Sequence, residues 1–157
     1  MSDLKICSTC QRELSPELFE HNRRVCRACR SAEHRRRTSS SYEHFLRYLY
    51  SNAKSDASSP SSNRSNKIAW ELELSDLTAL WEKQEGRCAV SGVFLTHHKD
   101  GSGRYDFNAS IDRINPDLPY TPQNVHLVAY RINIMKHTLT SDMFYWWVKT
   151  IHDFSCD

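Results

Sequence analysis

Four cysteines near the start of the chain constrain its fold more than any other feature. They are spaced C-x2-C-x15-C-x2-C, as Cys7, Cys10, Cys26 and Cys29. Each C-x2-C pair forms a knuckle whose thiolates can take two corners of a tetrahedron, so two knuckles close a structural Zn²⁺ site. The alternative is four free buried thiols. Because the segment is too small to build a core unaided, zinc would couple its folding to metal binding.

Positive charge is concentrated around the second knuckle. The whole chain of 157 residues carries a net charge of only +2. Between His21 and Thr38, however, one acid (Glu33) faces seven arginines: Arg23, Arg24, Arg27, Arg30, Arg35, Arg36 and Arg37. A focused basic field attracts polyanions, and arginine forks suit bidentate contacts with phosphate. The alternative is a solvated charged helix face.

The chain length suits one compact domain, or a core of about 100 residues with a small satellite. We expect a zinc-knuckle and basic segment over 1–40, a helix and serine-rich linker over 41–66, and a third domain over 67–157. No apolar run approaches the ~20 residues that a membrane span needs. The N-terminus lacks the apolar region of a signal peptide, so we expect an intracellular, reducing compartment, where paired cysteines more often hold metal.

Apolar spacing predicts the remaining elements. We expect a helix over Tyr42–Lys54, a flexible loop over 55–66 and an alternating strand over Ile68–Leu74. Ser75 should cap a helix from Asp76 to about Gln84, and Ser141 should cap a last helix over Asp142–Phe154. The last helix carries an aromatic and aliphatic stripe that we expect to be buried, made of Phe144, Trp147, Val148 and Ile151. Cys88 and Cys156 are expected to be ordinary buried or terminal thiols.

The stretch Asn108–His137 carries the chemistry. Alternation predicts strands over Ala109–Ile114 and Val125–Val128, and a helix over Tyr130–Lys136, with proline-rich turns between the strands. Carboxylate and amide oxygens of Asp112 and Asn133 suit a hard divalent cation. A cation such as Arg113 can stabilise charge on a phosphate in the transition state. Phosphodiester hydrolysis also needs a base, which the stretch does not supply in an obvious way.

The run S-I-D-R-I-N-P…Y-T-P-Q-N-V-H-L-V…I-N-I-M-K resembles the HNH, or ββα-metal, endonucleases, especially phage-type members and PacI-like restriction enzymes. The resemblance extends upstream through Leu80–Gly92 and onward to Phe144, and it includes the zinc knuckles. It implies an α+β fold with a small ββα-metal core and flanking helices. It also implies a DNA endonuclease that uses Mg²⁺ or another divalent cation on double-stranded DNA, of phage, viral or microbial origin.

Carried over by position, the resemblance makes Asp112 and Asn133 ligands of the catalytic cation and Asn124 a mainly structural loop residue. Arg113 stands where most of the family has its general-base histidine. Because arginine stays protonated, it cannot be the base. Some family members with this change use a tyrosine on an earlier helix, but Trp81 stands roughly at that place here. The remaining candidates for the base are His97, His98, His126 and Tyr105.

Two other functions remain open. One is a catalytically inactive DNA-binding module on the same scaffold, motivated by the arginine in the base position. The other is a zinc-knuckle adaptor between proteins, which predicts no salt-dependent affinity for DNA. Cleavage of both strands would favour a homodimer with two sites related by a two-fold axis.

Overall fold

The computed structural model describes residues 4–59, 68–98 and 105–156 of the chain. Within these ranges it contains five α-helices and two antiparallel sheets of two strands each. The expected α+β class is therefore confirmed. No helix in the described ranges has both the length and the apolar character needed to cross a membrane.

The N-terminal segment folds around its cysteines. Strands β1 (Lys5–Ile6) and β2 (Glu13–Leu14) pair as a short antiparallel hairpin, and a 3-10 turn (Pro16–Leu18) follows. Beyond it, Phe19 forms an isolated bridge with Cys26. A small separate apolar cluster of Cys7, Phe19 and Cys26 lies at the centre. Such a small core agrees with a segment that depends on metal for its stability.

Two helices connect this segment to the rest of the molecule. Helix α1 (Arg27–Thr38) begins directly after Cys26 and carries most of the clustered arginines. Helix α2 (Tyr42–Ser58) is capped by the Ser41 hydroxyl, which accepts a hydrogen bond from the backbone N–H of His44. The predicted end of α2 at Lys54 is wrong, because the helix continues to Ser58.

Helix α2 continues through the first residues of the expected loop. Ala57 is buried, and the Ser58 hydroxyl donates to the carbonyl of Lys54 at 2.8 Å. The buried contact of Ala57 therefore outweighs the weak helix propensity of the neighbouring serines. The rest of the expected serine-rich linker, residues 60–66, lies outside the described residues.

The expected strand over Ile68–Leu74 is also absent. Trp70 forms only an isolated bridge with Tyr120, and Leu74 is already the first residue of helix α3 (Leu74–Lys83). The N-cap is Glu73 and not Ser75, because Glu73 and Asp76 form a reciprocal capping box. The helix ends before Gly86, as expected. Gly86 has a positive φ of 65°, and an added Cβ would lie 3.2 Å from the ring of Trp81.

The C-terminal half contains the expected ββα unit. Strands β3 (Ala109–Arg113) and β4 (Val125–Ala129) pair in antiparallel register, with Asp112 opposite His126. Helix α4 (Tyr130–Lys136) follows β4 without a loop. One apolar core joins this unit to α2 and α3, and its most buried members are Leu46, Leu77, Leu127 and Val128.

Burial on α4 differs from expectation. The sequence of α4 makes Ile132, Ile134 and Met135 candidates for burial, but Ile134 and Met135 are 45% and 54% exposed, and of the three only Ile132 packs against the core. The buried side chain is instead Lys136, which is 1% exposed. A buried ammonium needs a counter-ion, and one lies on β3.

The last helix, α5 (Ser141–Ser155), is capped by Thr140 and not by Ser141. The expected burial of its stripe was wrong except at Phe144, which is 5% exposed. Trp147, Val148 and Ile151 are 47%, 43% and 60% exposed, because no described element packs over that part of the helix. Among the isolated cysteines, Cys88 is buried and Cys156 is exposed, as expected.

Candidate functional site

The four N-terminal cysteines form a cluster whose geometry suits zinc. Their Sγ atoms all lie within 4.8 Å of one another. A tetrahedral ion with Zn–S bonds of about 2.3 Å requires sulfur–sulfur separations of about 3.8 Å, so only a small contraction is needed. The backbone N–H of Cys26 donates to Cys7 Sγ at 3.3 Å. Four thiol ligands leave no open coordination position, which is typical of a structural site.

Hydrogen bonds prepare part of this cluster for a cation. Backbone N–H groups of Cys10 and Cys26 lower the pKa of the Cys7 thiol to about 6. Backbone and side-chain hydrogen bonds from Arg12 lower the pKa of Cys10 as well. In contrast, the thiol of Cys29 shares a hydrogen bond with Cys26 and is desolvated, and its pKa rises to about 12. Zinc binding would therefore release protons from the cluster.

Asp112 lies on the face of β3 that α4 covers, and its side chain is 5% exposed. Two basic side chains hold its carboxylate. His126 Nε2 lies 2.8 Å from Oδ2, and Lys136 Nζ lies 3.2 Å from Oδ1 and 3.1 Å from Oδ2. Lys136 also donates to the carbonyl of Arg113 at 2.7 Å. The buried carboxylate thus already has one full positive charge beside it.

Asn133 contacts the same strand two residues upstream of Asp112. Its amide nitrogen donates to Ser110 Oγ at 2.8 Å and to the carbonyl of Ile111 at 3.2 Å. Because Asn133 and Lys136 are three residues apart on α4, they lie on the same helix face. Positions 110 and 112 of a strand also share a face, about 7 Å apart. Asp112 therefore lies on one face of β3, and Asn133 packs against that face from α4.

Arg113 is held by the loop between β3 and β4. Its guanidinium donates to the carbonyl of Leu118 at 2.9 Å and lies 5.1 Å from the ring centroid of Tyr120. One hydrogen bond uses one of the five N–H donors of arginine, so the others stay available to an anion.

Asn124 is buried and ties together the loop between β3 and β4. Its amide nitrogen donates to the carbonyls of Asn115 and Pro119, at 3.0 and 2.9 Å. Its amide oxygen accepts from the backbone N–H of Asn115 at 3.0 Å. All three contacts lie within the loop.

The four candidates for the base lie at different ends of β3. His126 is directly opposite Asp112 and is 15% exposed. His97 and His98 lie next to the bridge that joins Thr96 to Asn108, at the start of β3. Asn108 is four residues from Asp112, about 13 Å along a strand. Tyr105 precedes this bridge, and its carbonyl accepts a hydrogen bond from the N–H of Asn108. The structure therefore brings only His126 to Asp112.

A cavity of about 240 Å³ lies between α2 and the ββα unit. Ser110, Ile111, Tyr120 and Asn133 line one side, and α2 contributes Tyr48, Leu49, Asn52, Ala53 and Asp56 to the other. Sequence reasoning missed the contribution of α2. The available signal was the spacing of Tyr48, Asn52 and Asp56 by four residues, which places three polar side chains on one helix face.

The clustered arginines differ in how far their charge is neutralised. Arg30 forms an ion pair with Glu20, and Arg36 forms a bidentate pair with Glu33. Arg35 donates to the hydroxyl of Ser31 at 2.7 Å. The basic run therefore does not present one uniform surface.

Comparison with known proteins finds a similar solved structure. No protein-family model and no curated protein matches the chain. Among solved structures, the chain is similar to the rare-cutting HNH restriction endonuclease PacI, with a TM-score of 0.46 and 17% sequence identity. The similarity covers 94% of this chain and 93% of that chain.

Proposed function

We propose that this chain is a divalent-metal-dependent DNA endonuclease that hydrolyses phosphodiester bonds. The observation that supports this most is the placement of Asp112 and Asn133. Asp112 lies on one face of β3, Asn133 contacts the same face through Ser110, and Asn133 also lines a cavity with several oxygen-bearing side chains. Phosphodiester hydrolysis needs a hard cation, a guanidinium that orients the phosphate, and a base. This ββα unit contains candidate residues for all three roles.

The residues present fit a cation such as Mg²⁺. Mg²⁺ is usually bound by one or two carboxylates together with water and substrate phosphate. The Asp112 carboxylate would supply the charge and the amide oxygen of Asn133 a second donor. Metal-binding carboxylates are normally held by hydrogen bonds, as Asp112 is by His126 and Lys136. Because Lys136 already neutralises Asp112, the phosphate of the substrate must balance the added charge. The cation would neutralise the scissile phosphate and the leaving oxygen.

The other roles follow from the contacts of each side chain. Arg113 orients the phosphate with the N–H donors that Leu118 leaves available. His126 accepts the proton from the attacking water. Its Nε2 faces Asp112, which leaves Nδ1 as the acceptor and fixes the ring.

The test is cleavage of a supercoiled plasmid in the presence of Mg²⁺, with EDTA as a control. We expect Asn133→Ala and Asp112→Asn to lower the rate by about 100-fold or more, which is typical for the loss of one group that stabilises transition-state charge. The matched control is Asp153→Asn, an exposed position on α5 that should cut at the wild-type rate. Zinc content should stay unchanged in all three. Wild-type cleavage by both site variants would refute the proposal.

One observation favours a second function, a DNA-binding module without catalysis. The ammonium of Lys136 lies where a cation would approach Asp112. In that case the plasmid remains intact at every Mg²⁺ concentration, while the protein still binds DNA in a salt-dependent way.

A further inference from the structure

Three cavities join the zinc cluster to the ββα unit. The first, about 510 Å³, lies beside Cys29 and includes Arg30, Glu33, His34 and Arg37. The second, about 310 Å³, is lined by His34, Arg37, Thr38, His44, Arg47, Tyr48, Ser51 and Asn52. The third is the cavity beside Asn133.

These cavities adjoin one another, because each shares lining residues with the next, and the three together are called the groove below. The first and second share His34 and Arg37, and the second and third share Tyr48 and Asn52. Helix spacing explains the continuity. Arg30, His34 and Arg37 lie on one face of α1, and His44, Arg47 and Ser51 lie on one face of α2. The rings of His34 and Tyr48 meet between the helices, with centroids 6.0 Å apart.

The middle of the groove carries two guanidinium groups that form no ion pair. Within the described ranges, neither Arg37 nor Arg47 forms an ion pair, although Arg30 and Arg36 do. Glu33, the one carboxylate among the residues that line the first two cavities, is paired with Arg36 and acts on Arg37 only through its charge. Guanidinium groups without an ion-pair partner, beside hydroxyl, amide and imidazole donors, match the oxygens of a phosphate.

We propose that this groove binds the sugar-phosphate backbone of the DNA strand that is cut and guides it from the zinc cluster to Asn133. Arg37 and Arg47 bind its phosphates, and His34 and His44 line the path. Cavities of 240 to 510 Å³ accept one backbone and not a whole duplex. Of these four residues, the motif and charge pattern of the sequence point only to Arg37. That the bound strand is also cut rests on the proposed nuclease function, whereas phosphate binding by the groove does not.

The test is the salt dependence of DNA binding by the full-length zinc-loaded protein. In Mg²⁺-free buffer, a labelled duplex is titrated at several salt concentrations. Each phosphate contact contributes about 0.9 to the slope of log Kobs against log salt, so Arg37→Gln/Arg47→Gln should lower that slope by about 1.8. The matched control is Arg131→Gln/Lys149→Gln. It removes the same charge from two exposed side chains that are paired with Asp106 and Asp153, and its slope should stay within 0.5 of the wild type.

An unchanged slope in the groove variant, or an equal fall in the slope of the control, would refute phosphate binding by the groove. Circular dichroism and zinc content show whether the groove variant is folded. If it is not, Arg37→Lys/Arg47→Lys keeps both charges and should retain the wild-type slope but lose affinity, because lysine lacks the bidentate fork. Equal affinity for that variant and the wild type would then contradict the assignment.

Plasmid cleavage tests the nuclease proposal separately from DNA binding. A wild type that binds DNA with the expected slope but does not cut the plasmid refutes the nuclease and leaves phosphate binding by the groove standing. With an active wild type, the groove variant should need more DNA to reach half-maximal rate and should keep its rate at saturation, since Arg37 and Arg47 hold DNA away from the bond that breaks.

Discussion

Replacing Lys136 by Met should destabilise the protein and expose the cation site. The ammonium is 1% exposed and lies 3.1 Å from Asp112 Oδ2. At an effective dielectric constant of about 20, unit charges at that distance attract by about 5 kcal/mol. Removing one partner of a buried pair typically costs about 3–5 kcal/mol. Because His126 still holds the carboxylate, we expect the lower end, about 3 kcal/mol, or a fall in Tm of about 6–12 °C.

The same variant should respond to divalent cations more than the wild type. Without the ammonium, the Asp112 carboxylate is left with His126 and should bind Mg²⁺ more tightly. A ligand at 100 times its Kd stabilises the folded state by about 2.7 kcal/mol, so saturating Mg²⁺ should recover most of the loss. Calorimetric melts with and without Mg²⁺ measure both effects.

The double variant Asp112→Asn/Lys136→Met provides the control. It removes both charges, so its stability should lie within about 1 kcal/mol of the wild type, and its Tm should not respond to Mg²⁺. A loss below about 1 kcal/mol for Lys136→Met would refute the buried pair. Equal Mg²⁺ responses of the single and double variants would refute Asp112 as the ligand.

Three further predictions test other parts of the structure. Cys26→Ser should lose bound zinc and the circular-dichroism signal of the N-terminal segment. Calorimetry should still show an unfolding transition of the core around Leu127. Retained zinc would contradict the four-cysteine site. Asn124→Ala removes three loop hydrogen bonds and should lower the free energy of unfolding in urea by about 2–3 kcal/mol; a neutral effect would contradict the loop contacts. Trp147→Gln should change that free energy by less than about 1 kcal/mol, since about half of its side chain is exposed; a loss of 3 kcal/mol would mean that α5 is covered.

The ββα unit could be predicted from the sequence because its signals are local. Alternation sets the strands of Ala109–Arg113 and Val125–Ala129, and proline-rich turns separate them. The knuckle spacing is equally local, and the four cysteines do come together. Both features depend on residues close in sequence, where side-chain geometry leaves few alternatives.

The helix caps were missed by one or two residues, whereas the larger errors arose where distant partners decide the outcome. The alternation over Ile68–Leu74 is genuine, but a strand needs a partner along its length, and Trp70 finds only Tyr120. The stripe on α5 has the spacing of a buried face, yet the described chain does not cover it. Helix position alone could not show the burial of Lys136, because its partner Asp112 is 24 residues away.

The buried pair changes how the catalytic proposal must be tested. Asp112 is both the proposed ligand and the counter-ion of Lys136, so Asp112→Ala would leave a buried ammonium without a partner and could abolish cleavage by unfolding the protein. Asp112→Asn keeps an oxygen beside Lys136 and removes only the charge, so its Tm should fall less than that of Asp112→Ala. The two variants should nevertheless be equally inactive if the carboxylate binds the cation. If cleavage instead follows Tm across both variants, the contribution of Asp112 is to folding, and the cation must be bound elsewhere.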